Sequence, residues 1–289
     1  MSISRVVVIT AIVSLALTCM LFTGTHAQAQ TAASCTFTYF QMPSPYNASV
    51  QPGGINHYDT VVGAASSTTK WQGFIRYSNG STKLFSAPGA ASTWFTRRNA
   101  SGITVGYYYT QNSSTAPATG LILTSTSFAS LKYPGAVSTY ANGINKYNTI
   151  VGSYTSTSGV SRGFIYKGGK FTSVNYPGAY STTIAAINDS GTIIGGYVNG
   201  NFENPTHGFM LKNGVFSTKQ SGVDINNSGT TVAGFYITYS NGTTNTVHAP
   251  GSYTTNLYGI NDLGVLTGNA NYLNSNGTAT WKNFTAVCH

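Results

Sequence analysis

Gly143-Ile144-Asn145-Lys146-Tyr147-Asn148-Thr149-Ile150-Val151-Gly152-Ser153-Tyr154 is the stretch from which the fold can be read. An aliphatic residue leads into an asparagine, and three places later stands a residue type that tolerates positive φ. A β-branched pair then runs into a glycine, so a tight turn is followed at once by a strand. The same order recurs along the chain. Its asparagines are Asn56, Asn99, Asn145, Asn188, Asn226 and Asn261, with successive spacings of 43, 46, 43, 38 and 35 residues. Three places after them come Asp59, Gly102, Asn148, Gly191, Gly229 and Gly264, each expected at a left-handed corner. Seven places after them come Gly63, Gly106, Gly152, Gly195 and Gly268, while Gly234 falls one place late in the fifth copy.

The remainder of the unit follows from the same residue chemistry. A second strand opens at Gly73-Phe74, Gly120-Leu121, Gly163-Phe164 and Gly208-Phe209, and it runs into Asn79-Gly80, Gly168-Gly169 or Asn213-Gly214, which are hairpin signals. A third strand, such as Phe171-Thr172-Ser173-Val174-Asn175-Tyr176, stops at a proline that cannot donate to a ladder. Pro45, Pro88, Pro134, Pro177 and Pro250 each stand 11 residues before the next repeat asparagine, so the connection has one geometry. Cys35-Thr36-Phe37-Thr38-Tyr39-Phe40 reads as a last strand without its unit, and Phe284-Thr285-Ala286-Val287-Cys288-His289 resembles the same strand. Terminal strands of this kind seal a circular array, which protects sheet edges. The expectation is an all-β protein, a β-propeller of about six blades closed by its terminal strands. Seven is the alternative, because the fifth and sixth units are short.

The pattern in Gly143-Ile144-Asn145, Ile150-Val151-Gly152-Ser153-Tyr154, Arg162-Gly163-Phe164-Ile165-Tyr166 and Tyr176-Pro177-Gly178-Ala179 resembles the HAF family of extracellular bacterial repeat proteins. His207-Gly208-Phe209 is nearest to the three-residue signature, and the second, fifth and sixth copies depart from it. The resemblance implies export and a propeller-like architecture. It supplies no catalytic residues.

Export is also legible at the N-terminus. Arg5 precedes an apolar run from Val6 to Phe22, and Ala27-Gln28-Ala29 has the small-x-small form cut by signal peptidase. Residues 1–29 are therefore expected to be a signal peptide and residues 30–289 a single repeat domain without a transmembrane anchor, extracellular or periplasmic and monomeric. The two cysteines that remain, Cys35 and Cys288, are expected to form a disulfide in that compartment.

Composition narrows the chemistry. Only 7% of residues are charged, and five are acidic. Asp59, Asp189, Asp224 and Asp262 lie at or beside the repeat turns and are read as turn residues, while Glu203 alone lies outside the repeat. A glycosidase normally needs paired carboxylates, so the acidic inventory argues against hydrolysis. His57, His207, His248 and His289 have no metal-ligand spacing, and neither a phosphate loop nor a dinucleotide fingerprint is present. No catalytic residue, metal or cofactor is assigned.

Two features point to binding. Tyr108, Tyr154, Tyr197 and Tyr236 fall two places beyond the strand glycine, on one face of the strand, either as packing between blades or as a platform for stacking sugars. The formal charge of +9, or +8 without Arg5, favours anionic partners, and Arg97-Arg98 is the only adjacent basic pair. Basic residues are too scattered for nucleic acid. The expected function is a non-catalytic binding module for cell-envelope or environmental glycans, with acidic or neutral polysaccharide, or a cell-surface protein, as partner. A polysaccharide lyase or hydrolase acting at one face and a structural or adhesive surface protein are the alternatives. N-terminal sequencing of the exported protein should begin at Gln30, and recovery of a chain that keeps Val6 to Phe22 would overturn the leader assignment.

Overall fold

Each repeat asparagine stands at the end of a strand that the repeat pattern does not announce. In the computed structural model, which describes residues 31–47, 49–113, 115–200, 207–218 and 220–289, the segment between Pro-Gly and Asn is itself a strand. Ser138–Ile144 is an example, and with Ile150–Thr155, Ser161–Lys167 and Lys170–Val174 it makes an antiparallel four-stranded sheet in simple meander order. The expected passive connection is therefore the innermost strand. Its signal is blurred by a bulge between Ala141 and Gly143, which breaks the two-residue alternation. The same irregularity recurs at Pro52/Gly54, Phe95/Arg97, Ile184/Ala186 and Leu257/Gly259.

The described residues form strands and turns, with no helix, in a propeller-like ring of such units. Units 1 and 2, which start with Ser49–Ile55 and Ser92–Arg98, are joined into one eight-stranded sheet by a single parallel bridge between Trp71 and Ser92. Units 3 and 4 start with Ser138–Ile144 and Ser181–Ile187. Unit 5 starts with the two-residue strand Asp224–Ile225 and is extended by Thr31–Ala32, which pairs in parallel with Thr244–Thr246. In unit 6, Thr254–Ile260, Val265–Leu273 and Ala279–Cys288 are completed by the N-terminal strand Cys35–Phe40. The chain's last strand is thus the third of its sheet, not the outermost. Phe284 occupies the place of Phe74, Phe164 and Phe209, opposite the strand glycine. Cys35 lies opposite Cys288 and the two are disulfide-bonded across a separation of 253 residues. The proposed leader, residues 1–29, lies outside the described residues.

The apolar core is a series of layers between consecutive units. One layer joins Val105 and Leu131 of unit 2 to Ala141, Ile144 and Phe164 of unit 3, and another joins Phe40 of unit 6 to Ile55, Val61 and Phe74 of unit 1. The strand glycine exists because of close approach: a Cβ at Gly152 would meet the Tyr140 carbonyl oxygen and the Phe164 ring, and Gly63, Gly195 and Gly268 are hemmed in alike. Each Pro-Gly turn is tied to the next inner strand by a buried threonine, as where the Thr182 hydroxyl accepts from the Tyr176 amide at 2.9 Å.

All six corners have positive φ, from 55° at Asp59 to 84° at Gly102. Each asparagine before them is buried and serves two purposes. The Asn145 Oδ1 accepts from the amides of Tyr147 and Thr149 at 3.1 and 3.0 Å, which closes its own turn. Its Nδ2 donates to the backbone carbonyl of Asn188, and the same bond passes from Asn56 to Asn99 to Asn145 to Asn188 to Asn226 to Asn261 and back to Asn56 at 3.0–3.3 Å. Replacing Asn145 by Ala should lower stability by about 1–3 kcal/mol for each buried backbone group left unpaired, read from the urea midpoint. An unchanged midpoint would show that the ring of amides contributes nothing.

Candidate functional site

Two ends of the ring are available, and different residues line them. At the asparagine end, the position after each asparagine is His57, Ala100, Lys146, Asp189, Asn227 and Asp262. Four of these link in series: the Asp189 carboxylate accepts from the Lys146 amide at 2.8 Å, the Asn227 Oδ1 from the Asp189 amide at 2.8 Å, and the Asp262 carboxylate from the Asn227 amide at 2.7 Å. The Asn227 Nδ2 also donates to both flanking carboxylates at 2.7 Å. Asp189 and Asp262 therefore bind neighbouring units rather than their own turns, which corrects the local reading. Among the described residues no group of three His, Cys, Asp or Glu side chains could hold a metal.

Below this mouth the axis is plugged. The positions two before each asparagine are Gly54, Arg97, Gly143, Ala186, Asp224 and Gly259, four small residues and one opposite-charge pair three units apart round the ring. Arg97 reaches across, and its Nε donates to Asp224 at 3.1 Å. Its remaining donors go to the carbonyls of Gly53, Thr96, Val223 and Tyr258. All five guanidinium N–H groups are thus used inside the chain. A Cβ on Gly54 would strike the Arg97 side chain, so the small neighbours make room for it. Asp224 is a buried partner of this pair, held also by the Ile260 amide at 2.9 Å, and not a turn residue. Burial pushes its carboxyl above the ordinary value, against the pull of Arg97. Arg98 lines the mouth beside His57, donates to Thr104 Oγ1 at 2.7 Å, and has its pKa lowered by burial.

The candidate tyrosines are dispersed. Tyr108 is buried, bonded to Ser130 at 2.9 Å and set edge-on to Phe128. Tyr154 stacks on Tyr133 at 3.7 Å, and Tyr197 stacks on Tyr176 at 3.6 Å. Tyr236 opens the third strand of unit 5, Tyr236–Thr238, because Gly234 makes a positive-φ turn there; it is not the counterpart of the other three. His207 lies beside Tyr197, away from the mouth, and Glu203 lies outside the described residues.

The opposite end carries a cluster that the repeat alignment passes over. Trp71 and Trp94 stack across units 1 and 2 at 4.5 Å with 24° between planes. Trp94 is parallel to Tyr107 at 6.3 Å, and Tyr107 meets Tyr140 of unit 3 edge-on at 5.1 Å. These rings are half-buried. Burial raises the Tyr107 and Tyr109 phenols well above their ordinary values, with Tyr140 adding to both shifts. The signal in the sequence is the position next to the repeat tyrosine: Tyr107 meets Tyr140 of the following unit, whereas Tyr108 packs in the layer shared with the preceding one, since strand neighbours point to opposite faces. All three tryptophans of the chain belong to strands at this end, Trp281 lying in unit 6 opposite Asn271 as Trp71 lies opposite Ser66.

Neither the comparison with family models nor that with curated proteins yields a match. Among solved structures, the chain is similar to a protein of unknown function from Dyadobacter fermentans, with TM-score 0.52 and 8% identity over 88% of this chain and 98% of that one. It is less similar to TolB from Acinetobacter baumannii, at TM-score 0.45 and 10% identity over 81% of this chain, and it spans only 53% of TolB. A fucose-specific lectin from Aleuria aurantia gives TM-score 0.37 and 8% identity over 89% of this chain and 78% of the lectin. At such identities the likeness concerns the fold alone, and only the first of the three has weight. Among the described residues no helix is long and apolar enough to cross a membrane.

Replacing Arg97 by Met should cost about 3–5 kcal/mol, because a buried carboxylate loses its counter-charge. The folded-state pKa of Asp224 then lies still further above its unfolded value. The variant should therefore be nearest to the wild type in acid and lose stability as pH rises through that folded value. Urea midpoints taken across the pH range check this. A pH-independent loss would show that Asp224 does not carry the charge.

Proposed function

We propose that this chain is an exported six-bladed propeller of the HAF type that acts as a non-catalytic module binding glycans at its tryptophan-bearing end. The observation that carries this is the half-buried Trp71–Trp94–Tyr107–Tyr140 series, which crosses three consecutive units at one mouth. Flat indole and phenol faces match the apolar faces of pyranose rings, and their phenol and indole N–H groups supply fixed polar contacts. The disulfide between the chain ends and the closed ring of asparagine amides support a rigid scaffold suited to an oxidising compartment. The six asparagine links support the count of six blades, with the eight-stranded sheet counted as two joined by one bridge. The repeat tyrosines and Arg97 then serve as scaffold, since each has partners within the chain.

Binding on a glycan array, followed by calorimetry on the best ligand, tests the proposal. Trp94→Ala should weaken affinity by about tenfold or more while the thermal midpoint shows the variant folded, and Arg98→Ala at the other mouth should leave affinity unchanged. A protein that binds no glycan, or whose affinity survives Trp94→Ala, would overturn it.

A further inference from the structure

Unit 6 differs from its neighbours at the same end. Where unit 2 places Trp94, Tyr107 and Tyr109, unit 6 has Asn256, Asn269 and Asn271, five before and eight and ten after the repeat asparagine. Asn283 lies opposite Asn269 and Trp281 opposite Asn271 in the adjoining strand, so these five side chains share one face of the sheet. These five side chains are uncharged. Lys282, between the last two, belongs to the other face, where its ammonium lies over the rings of Tyr272 at 4.4 Å and Tyr39 at 5.8 Å.

Within this set the hydrogen-bond account does not close. The Asn269 Oδ1 accepts from Asn256 Nδ2 at 3.2 Å. The buried Oδ1 atoms of Asn271 and Asn283 have no partner, although Asn283 as a whole is only 6% exposed. A buried acceptor left unpaired is costly, and natural structures keep such groups where something else satisfies them. Trp281, on the same face, is 51% exposed, so an indole stands open to solvent beside two unmet acceptors.

We infer that the Asn271–Trp281–Asn283 face of unit 6 is a binding subsite for a neutral, hydroxyl-rich saccharide, whose hydroxyl groups donate to the two carboxamide oxygens while a sugar ring packs on Trp281. It rests on the glycan reading and deepens it by naming the ligand's charge class. Carboxamide oxygens accept and do not donate, so the carboxylate of a uronate, itself an acceptor, gains nothing from them, whereas the hydroxyl that replaces it in a neutral sugar can donate. The net positive charge of the chain by itself points to acidic polymers, and on this side it is represented by Arg76 of unit 1, whose guanidinium lies over the Phe40 ring, opposite Asn283, at 4.7 Å.

Affinity electrophoresis of the mature protein decides between the outcomes, using gels cast with neutral glucan, mannan or arabinogalactan and gels cast with polygalacturonate or alginate. The protein should be retarded by at least one neutral polymer, with little change from about 0.05 to 0.5 M salt, a range over which charge pairing is screened. Asn271→Ala and Trp281→Ala, one half-buried and one exposed, should each weaken retardation by about tenfold with unchanged thermal midpoints. Retardation only by the uronate polymers, abolished by salt, would overturn the inference, as would neutral binding that survives both variants, in which case the two oxygens hold water only. If Trp94→Ala abolishes binding and the unit 6 variants do not, the glycan reading stands and this subsite falls. If no polymer retards the protein, both fall.

Discussion

A side-chain amide with two kinds of atom holds this ring together. In every unit the asparagine oxygen closes the local turn and the asparagine nitrogen reaches the backbone carbonyl of the next unit. Aspartate would retain the first bond and lose the second, and serine is too short to make both. The residue type is therefore set by the need to couple turn geometry to inter-unit spacing, and the positive-φ residue three places on completes the same corner. Units of different length can share one ring because the variation lies in loops and outer strands, while the six corners stay in step.

Within that frame the axis is filled by an exception to the repeat. Glycine or alanine two places before the asparagine lets inner strands approach the axis, and the two departures, Arg97 and Asp224, stand opposite each other. Each would be costly alone in so buried a position; together, with four carbonyls and an amide satisfying what remains, they make a closed polar network. The plug separates the two mouths. The asparagine mouth is consumed by links between units, whereas the opposite mouth concentrates the tryptophans and the unsatisfied amides.

The difference between the mouths has a simple cause. At the asparagine end the backbone of every unit converges on the same asparagine, and four of the six varied positions beside it, from Lys146 to Asp262, are taken up in links between units, so little freedom remains for ligand recognition. At the other end the strand positions face one neighbour each, and their identities vary from Trp94 and Tyr140 to Thr183 and Asn256 without disturbing the ring.

Sequence alone determined the turn, the strand that follows it, the Pro-Gly stop, the left-handed corners and the pairing of Cys35 with Cys288, because each depends on local backbone chemistry or on the two ends meeting. It did not disclose the inner strand, whose bulge erases the alternation by which strands are recognised, nor that the C-terminal strand is third and the N-terminal one outermost. Tertiary structure alone decided that Arg97 meets Asp224, 127 residues away, and that Trp71, Trp94 and Tyr107 form one series. A repeat alignment keeps what is common to all units, while a site on a ring is made from what differs between neighbours, and only the closed ring sets those differences side by side.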